Sequence, residues 1–140
     1  MALSCFFLGA LYFGSRLYNL TSMPIFTDEA IYIRWSQIGA RDANWRFISL
    51  TDGKQPMFTW VAMVLLRLLP TWDPLFVGRL VSVFAGLGSL IGIGVLAYIL
   101  SKSKRVAFFA SILYILLPLT LLYDRMALYD SLVGTFAVWS

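Results

Sequence analysis

The sequence predicts an all-α, polytopic membrane protein, and three observations carry that prediction. The first is composition: 60% of the 140 residues are hydrophobic, 13% are charged, and mean hydropathy is +0.80. Soluble domains carry about twice that charge, at about 25%. The second is a series of apolar runs of helical length, separated by short polar turns. The third is charge placement: Lys102, Lys104 and Arg105 crowd one turn, whereas all seven acidic residues lie elsewhere. A disordered tail, a disulfide scaffold and an ordinary cytosolic domain are excluded. With no histidine there is no His-based zinc site and no Ser-His or Cys-His pair. Cys5 is the single cysteine and cannot close an intrachain disulfide. In such a chain the net charge of +4 reports topology and not nucleic-acid binding.

The first transmembrane helix is expected at about residues 2–20, long enough to cross about 30 Å of hydrocarbon. A signal peptide is the competing reading, but a basic leading region is missing and Arg16 follows the apolar stretch. Residues 21–76 form a polar loop with two juxtamembrane helices. In the first, Ile31, Trp35 and Ile38 recur at helical spacing behind Thr27, a candidate N-cap. Thr51, Asp52 and Gly53 make a turn. The second, at 57–69, reaches only about 20 Å before Pro70 and is too short to cross. Residues 77–100 form the next span, 101–105 a basic turn, and 106–123 a further span with Pro118 near its end. Residues 124–130 are polar, and 131–140 begin another helix, so the chain reads as the N-terminal membrane module of a larger protein.

Parity fixes the expected arrangement. If 57–69 does not cross, the basic turn lies in the cytoplasm and every acid lies outside. If it does cross, either the basic turn faces out or the first helix enters backwards. The non-crossing arrangement gathers Asp28, Glu29, Lys54, Arg79, Asp124, Arg125 and Asp130 on one membrane face.

Carboxylates beside cations at a membrane surface suit transfer chemistry on a lipid phosphate. One carboxylate can serve as general base, and a Lys or Arg can hold the phosphate. Each residue also has a plainer role. Asp28 and Glu29 suit the first turn of any helix, Lys54 suits snorkelling to the interface, and Arg79 suits a span's rim. Arg125 and Asp130 are too far apart in sequence for a good helical ion pair. Arg34, Arg41 and Arg46 form a solvated or headgroup-binding stripe, and Gly86, Gly88, Gly92 and Gly94 permit close helix packing.

Four short stretches stand in order: F-T-D-E-A-I-Y at 26–32, G-K-Q-P at 53–56, R-L-V-S at 79–82 and R-M-A-L-Y-D-S-L at 125–132. Together they resemble the N-terminal region of GT-C-type membrane glycosyltransferases. The likeness is to the bacterial branch related to protein O-mannosyltransferases and the lipid A aminoarabinose transferase, and it covers nearly the whole chain. It implies an inverting enzyme of the bacterial plasma membrane. The expected donor is a polyprenyl-phosphate-linked sugar, used on the extracytoplasmic face; the acceptor is a lipid, glycan or protein hydroxyl. The resemblance makes Asp28 the catalytic base with Glu29 as its partner. It places Lys54 near the donor phosphate and gives Asp130 the acid of the second outer loop, near the acceptor or a metal. Some relatives have an arginine where this chain has Ile31, so phosphate binding would fall on Lys54, helped by Arg34 or Arg125. A divalent metal stays open, with carboxylate ligands only, and the 140 residues alone are expected to be inactive. The alternative is a non-enzymatic carrier or transporter that binds the same headgroup.

Overall fold

A computed structural model describes residues 2–140, whose regular structure is all helical, with no strand among them. The α-helices are α1 (Ala2–Leu17), α2 (Thr27–Arg41), α3 (Met57–Leu68), α4 (Pro74–Ser101), α5 (Lys104–Leu116), α6 (Pro118–Tyr123) and α7 (Asp130–Trp139). Two 3-10 turns, Ala43–Trp45 and Ile48–Asp52, link α2 to α3. Among the described helices α4 alone is long and apolar enough to cross a membrane.

Helix α4 is the spine, and its ends are set by sequence. The Asp73 carboxylate caps the Leu75 N–H, Pro74 occupies the first helical position, and Lys102 closes the helix in the left-handed region at φ 53°. Helix α1 stops at Leu17, short of the expected residue 20, because Tyr18–Thr21 turns and Asn19 takes φ 49°. Asparagine tolerates that conformation better than most residues. The stretch expected as one span at 106–123 is two helices. Leu117 is extended because a residue before proline is driven out of the α region. Carbonyls freed at the break find other donors: the Thr120 hydroxyl serves Tyr114, and the Arg16 guanidinium serves Ile115 at 2.7 Å.

Contacts along α4 set the helix directions. Side chains at Gly94 and Gly86 would strike Ser111 and Asp124, so α5 and α6 run antiparallel to α4. At Gly88 and Gly92 they would strike Thr135, Val138 and Trp139, so α7 runs parallel to it. The Tyr12 hydroxyl donates to the Val83 carbonyl at 2.7 Å, and Arg79 reaches the Leu20 carbonyl, which makes α1 antiparallel. The small residues thus permit the close helix approach expected of them.

Helices α2 and α3 pack on each other beside the first turns of α4. A core of Tyr32, Ile33, Phe58, Ala62, Val81, Ala127 and Leu128 joins α2, α3, α4 and the segment before α7. Twelve residues give α3 about 18 Å, well short of a bilayer's hydrocarbon. Arg67 donates from α3 to the Ala40 carbonyl at 2.8 Å, and the Trp60 indole donates to the Arg46 carbonyl, also at 2.8 Å.

Candidate functional site

The site is built on the first turn of α2, where two adjacent acids have opposite fates. The expected Thr27 cap is not used: Thr27 is already helical and the cap position falls on Phe26. Glu29 supplies the cap instead, accepting the Phe26 N–H at 3.0 Å. The same carboxylate takes a two-pronged bond from Arg79, with Nε and a terminal nitrogen each at 2.9 Å. It also accepts the Ala127 N–H at 2.6 Å. Both side chains are fully buried. Burial alone would raise the Glu29 pKa, but the Arg79 guanidinium and the Phe26 and Ala127 amides outweigh it and hold the carboxyl below its ordinary value. Arg79 is fully satisfied too, donating to the carbonyls of Leu20, Met23 and Pro24.

This knot ties α2, α4, the 20–24 loop and the segment before α7 together, which makes Glu29 a positioning residue with no oxygen free for a substrate. Asp28 is its complement. It is half-buried, and among the described residues nothing is hydrogen-bonded to its carboxylate. Four residues on, Tyr32 shares its helical face. The Tyr32 ring packs against Trp35, Phe58 and Tyr129, with centroids 5.7, 6.0 and 5.8 Å away. The Tyr32 pKa is pushed up to about 12 by burial first, and then by the charges of Asp28, Tyr129, Asp130 and Asp52. Of these, Asp28 shares the helical face of Tyr32, and Tyr129 packs against its ring. Lys54 joins them, its Nζ 5.7 Å from the centroid of the Tyr129 ring.

The remaining expected residues lie elsewhere. Arg34 is exposed and lines a shallow depression with Gln37, Ile38, Arg41, Asp42 and Trp45, off the face that carries Asp28 and Tyr32. Arg125 caps α1: its terminal nitrogens donate to the carbonyls of Ser15, Tyr18 and Asn19 at 3.3, 2.9 and 3.0 Å. That is where a cation serves a helix C-terminus, and it leaves few donors for a phosphate. Asp124, expected on the same face as Asp28, instead packs beside Gly86, seven residues and about 10 Å along α4 from Arg79. There it lies 3.5 Å from the buried Arg16 and accepts from Tyr12, Tyr114 and Ser131. The expected face is thus two separate polar layers. Asp130 remains in the first, exposed at the start of α7.

Tyr32 and Tyr129 lie inside the quoted stretches, but sequence reasoning gives them no role, and only the structure shows their rings packed together beside Asp28. The spacing of four between Asp28 and Tyr32 is the sequence signal that puts Tyr32 on the face of Asp28. No three acidic or thiol side chains among the described residues are grouped to hold a metal ion. Comparisons with family models, curated proteins and solved structures return no match for this chain.

Proposed function

We propose that the chain belongs to a polytopic membrane glycosyltransferase that moves a sugar from a polyprenyl-phosphate donor to an acceptor hydroxyl. In this reading α1, α4, α5–α6 and α7 cross the membrane, and the α2–α3 end faces the extracytoplasmic side of a bacterial plasma membrane. Asp28 takes the acceptor's proton as the acceptor oxygen attacks the anomeric carbon. The bond from that carbon to the phosphate oxygen breaks on the opposite face, so configuration inverts, and Lys54 offsets the charge left on the lipid phosphate. The observation that carries the reading is the free, half-buried carboxylate of Asp28, fixed in place by a neighbour whose own carboxylate is wholly engaged. A general base needs that combination: an open lone pair and a rigid mount.

Asp28→Asn in the full-length protein is expected to abolish transfer while donor binding persists. Unchanged turnover in that variant removes Asp28 from the mechanism.

A carrier that binds the same headgroup is favoured by one observation, the buried Arg16–Asp124 pair beside the broken α5–α6 helix. Buried charges and interrupted helices are features of membrane transport sites. Retained movement of the lipid phosphate across the membrane in Asp28→Asn, with loss in Asp124→Asn, would favour the carrier.

A further inference from the structure

The depression at the C-terminal end of α2, about 220 Å³ in volume, has no part in the Asp28 site. Arg34, Ile38 and Arg41 line it from one face of the helix, spaced by four and then three residues. Trp45, in the turn that follows α2, lines it as well. Arg46, which the sequence groups with the two arginines, is exposed but lies outside it.

The polar groups of this hollow have no partners. The ion pairs among the described residues are Arg16–Asp124 and Glu29–Arg79, and neither the Arg34 nor the Arg41 guanidinium is hydrogen-bonded there. The acid at the rim, Asp42, is turned to the backbone, accepting the Asn44 N–H at 2.9 Å. The Trp45 indole N–H is also without an acceptor among the described residues, whereas those of Trp60 and Trp139 reach carbonyls. A cation in a helix's last turn suits the helix dipole, which accounts for Arg41. It does not account for Arg34, two turns earlier, nor for two like charges lining one hollow, where they repel each other.

An anion relieves that repulsion. Two arginines against one aspartate leave the hollow with a single positive charge in excess. A phosphodiester carries a single negative charge, and its oxygens accept from guanidinium and indole alike. The surroundings select its source. Trp45 is 50% exposed and Phe47 is 56% exposed, its ring edge-on to Trp60 at 5.4 Å. Exposed aromatics beside arginines suit the boundary between lipid headgroups and acyl chains, and α4 is long and apolar enough to cross a membrane. A free phosphate gives those rings nothing to cover them.

We propose that Arg34, Arg41 and Trp45 bind the headgroup phosphate of an anionic bilayer phospholipid. The site lies off the face of Asp28 and is independent of the transfer reaction. It ties the α2 end to the membrane surface.

The test titrates the full-length protein in detergent with phosphatidylglycerol or phosphatidylcholine and counts retained lipid by native mass spectrometry. Phosphatidylglycerol is expected to be retained in preference, because the choline group adds a cation that the arginines repel. Arg34→Gln and Arg41→Gln are each expected to weaken its retention about 5-fold, the usual worth of one basic residue at an anionic lipid surface. Arg34→Lys and Arg41→Lys keep the charge and should recover part of that loss. Arg46→Gln removes the same charge outside the hollow and should leave retention unchanged. Both lining arginines are exposed, so Tm in lipid-free detergent is expected to stay that of the wild type.

The proposal is overturned if the two lipids are retained alike, or if Arg34→Gln and Arg41→Gln hold phosphatidylglycerol as the wild type does. An equal loss in Arg46→Gln also overturns it, because net charge then acts without a site. So does a lowered Tm in both glutamine variants, because the guanidiniums then serve the fold. Displacement of the lipid by an equal concentration of inorganic phosphate would assign the hollow to a free anion. Displacement by polyprenyl phosphate in preference to phosphatidylglycerol would assign it to a prenyl lipid. Either result contradicts a bilayer phospholipid as the occupant.

Discussion

Glu29 and Arg79, fifty residues apart, meet in a fully buried, two-pronged ion pair that fixes the first turn of α2 against the first turns of α4. Every lone pair and donor of the two groups that the fold leaves short of water is met by the other or by backbone. The pair is therefore structural in its own right, and what it holds in place is the neighbouring Asp28.

Breaking it from one side leaves a charge buried without its partner. Glu29→Gln and Arg79→Met are each expected to cost about 3–5 kcal/mol. The double variant is expected to cost less than the sum of the two, as groups in direct contact do. Denaturation of all three variants in the same lipid environment checks this, and additive losses would show that the two side chains do not act as a unit.

The depressed Glu29 pKa also sets a pH dependence. Its ordinary value is 4.5, and the folded value lies below it. The stabilisation is therefore complete above about pH 4.5 and is lost as pH falls through the folded value. Unfolding followed from about pH 7 down to about pH 3 should show this acid limb in the wild type. In Glu29→Gln the limb should be flattened.

Gly86 bounds the second polar layer. A methyl group there would overlap the Asp124 carboxyl and the Tyr12 hydroxyl, both buried among other groups. Gly86→Ala is expected to destabilise the bundle by about 1–3 kcal/mol, the usual cost of overpacking. Gly14 is the control, because nothing lies within 4 Å of where an alanine methyl would stand. Gly14→Ala should be neutral or stabilising. Parallel thermal melts of the two variants separate these effects.

Arg125 and Lys54 are both expected from sequence at the donor phosphate, and the structure parts them. Arg125→Ala is expected to loosen the end of α1, seen as faster amide exchange at Tyr18 and Asn19, with the donor KM little changed. Lys54→Ala is expected to raise the donor KM about tenfold, in line with losing a charge-assisted hydrogen bond. Equal effects on donor KM would return Arg125 to the binding site.

What is legible in the sequence is what repeats or is local. Apolar runs locate the helices and the shortness of α3 follows from Pro70, whereas α4 starts at Pro74, capped by Asp73, ahead of the expected residue 77. The break at Leu117 is written in Pro118, though a span of apolar residues hides it. Less legible are the partners of charges. Nothing in the spacing of Arg16, Glu29, Arg79, Asp124 and Arg125 says what each of them meets, because those contacts join residues 50 to 110 positions apart. Asp28 and Glu29 look alike as first-turn acids, and only the approach of Arg79 and the Ala127 amide distinguishes them. Tyr32 reads as core and is core, but nothing in the sequence says that its buried hydroxyl has no hydrogen-bond partner.

The central claim is that Asp28, Lys54 and Asp130 share one extracytoplasmic surface. Single cysteines at positions 28, 54, 103 and 130, in a Cys5→Ser background, test it in intact cells with a membrane-impermeant thiol reagent. The account predicts labelling at 28, 54 and 130 from outside and protection at 103, in the basic turn that joins α4 to α5. Labelling of 28 and 130 from opposite sides of the membrane would contradict it, because no site could then contain both.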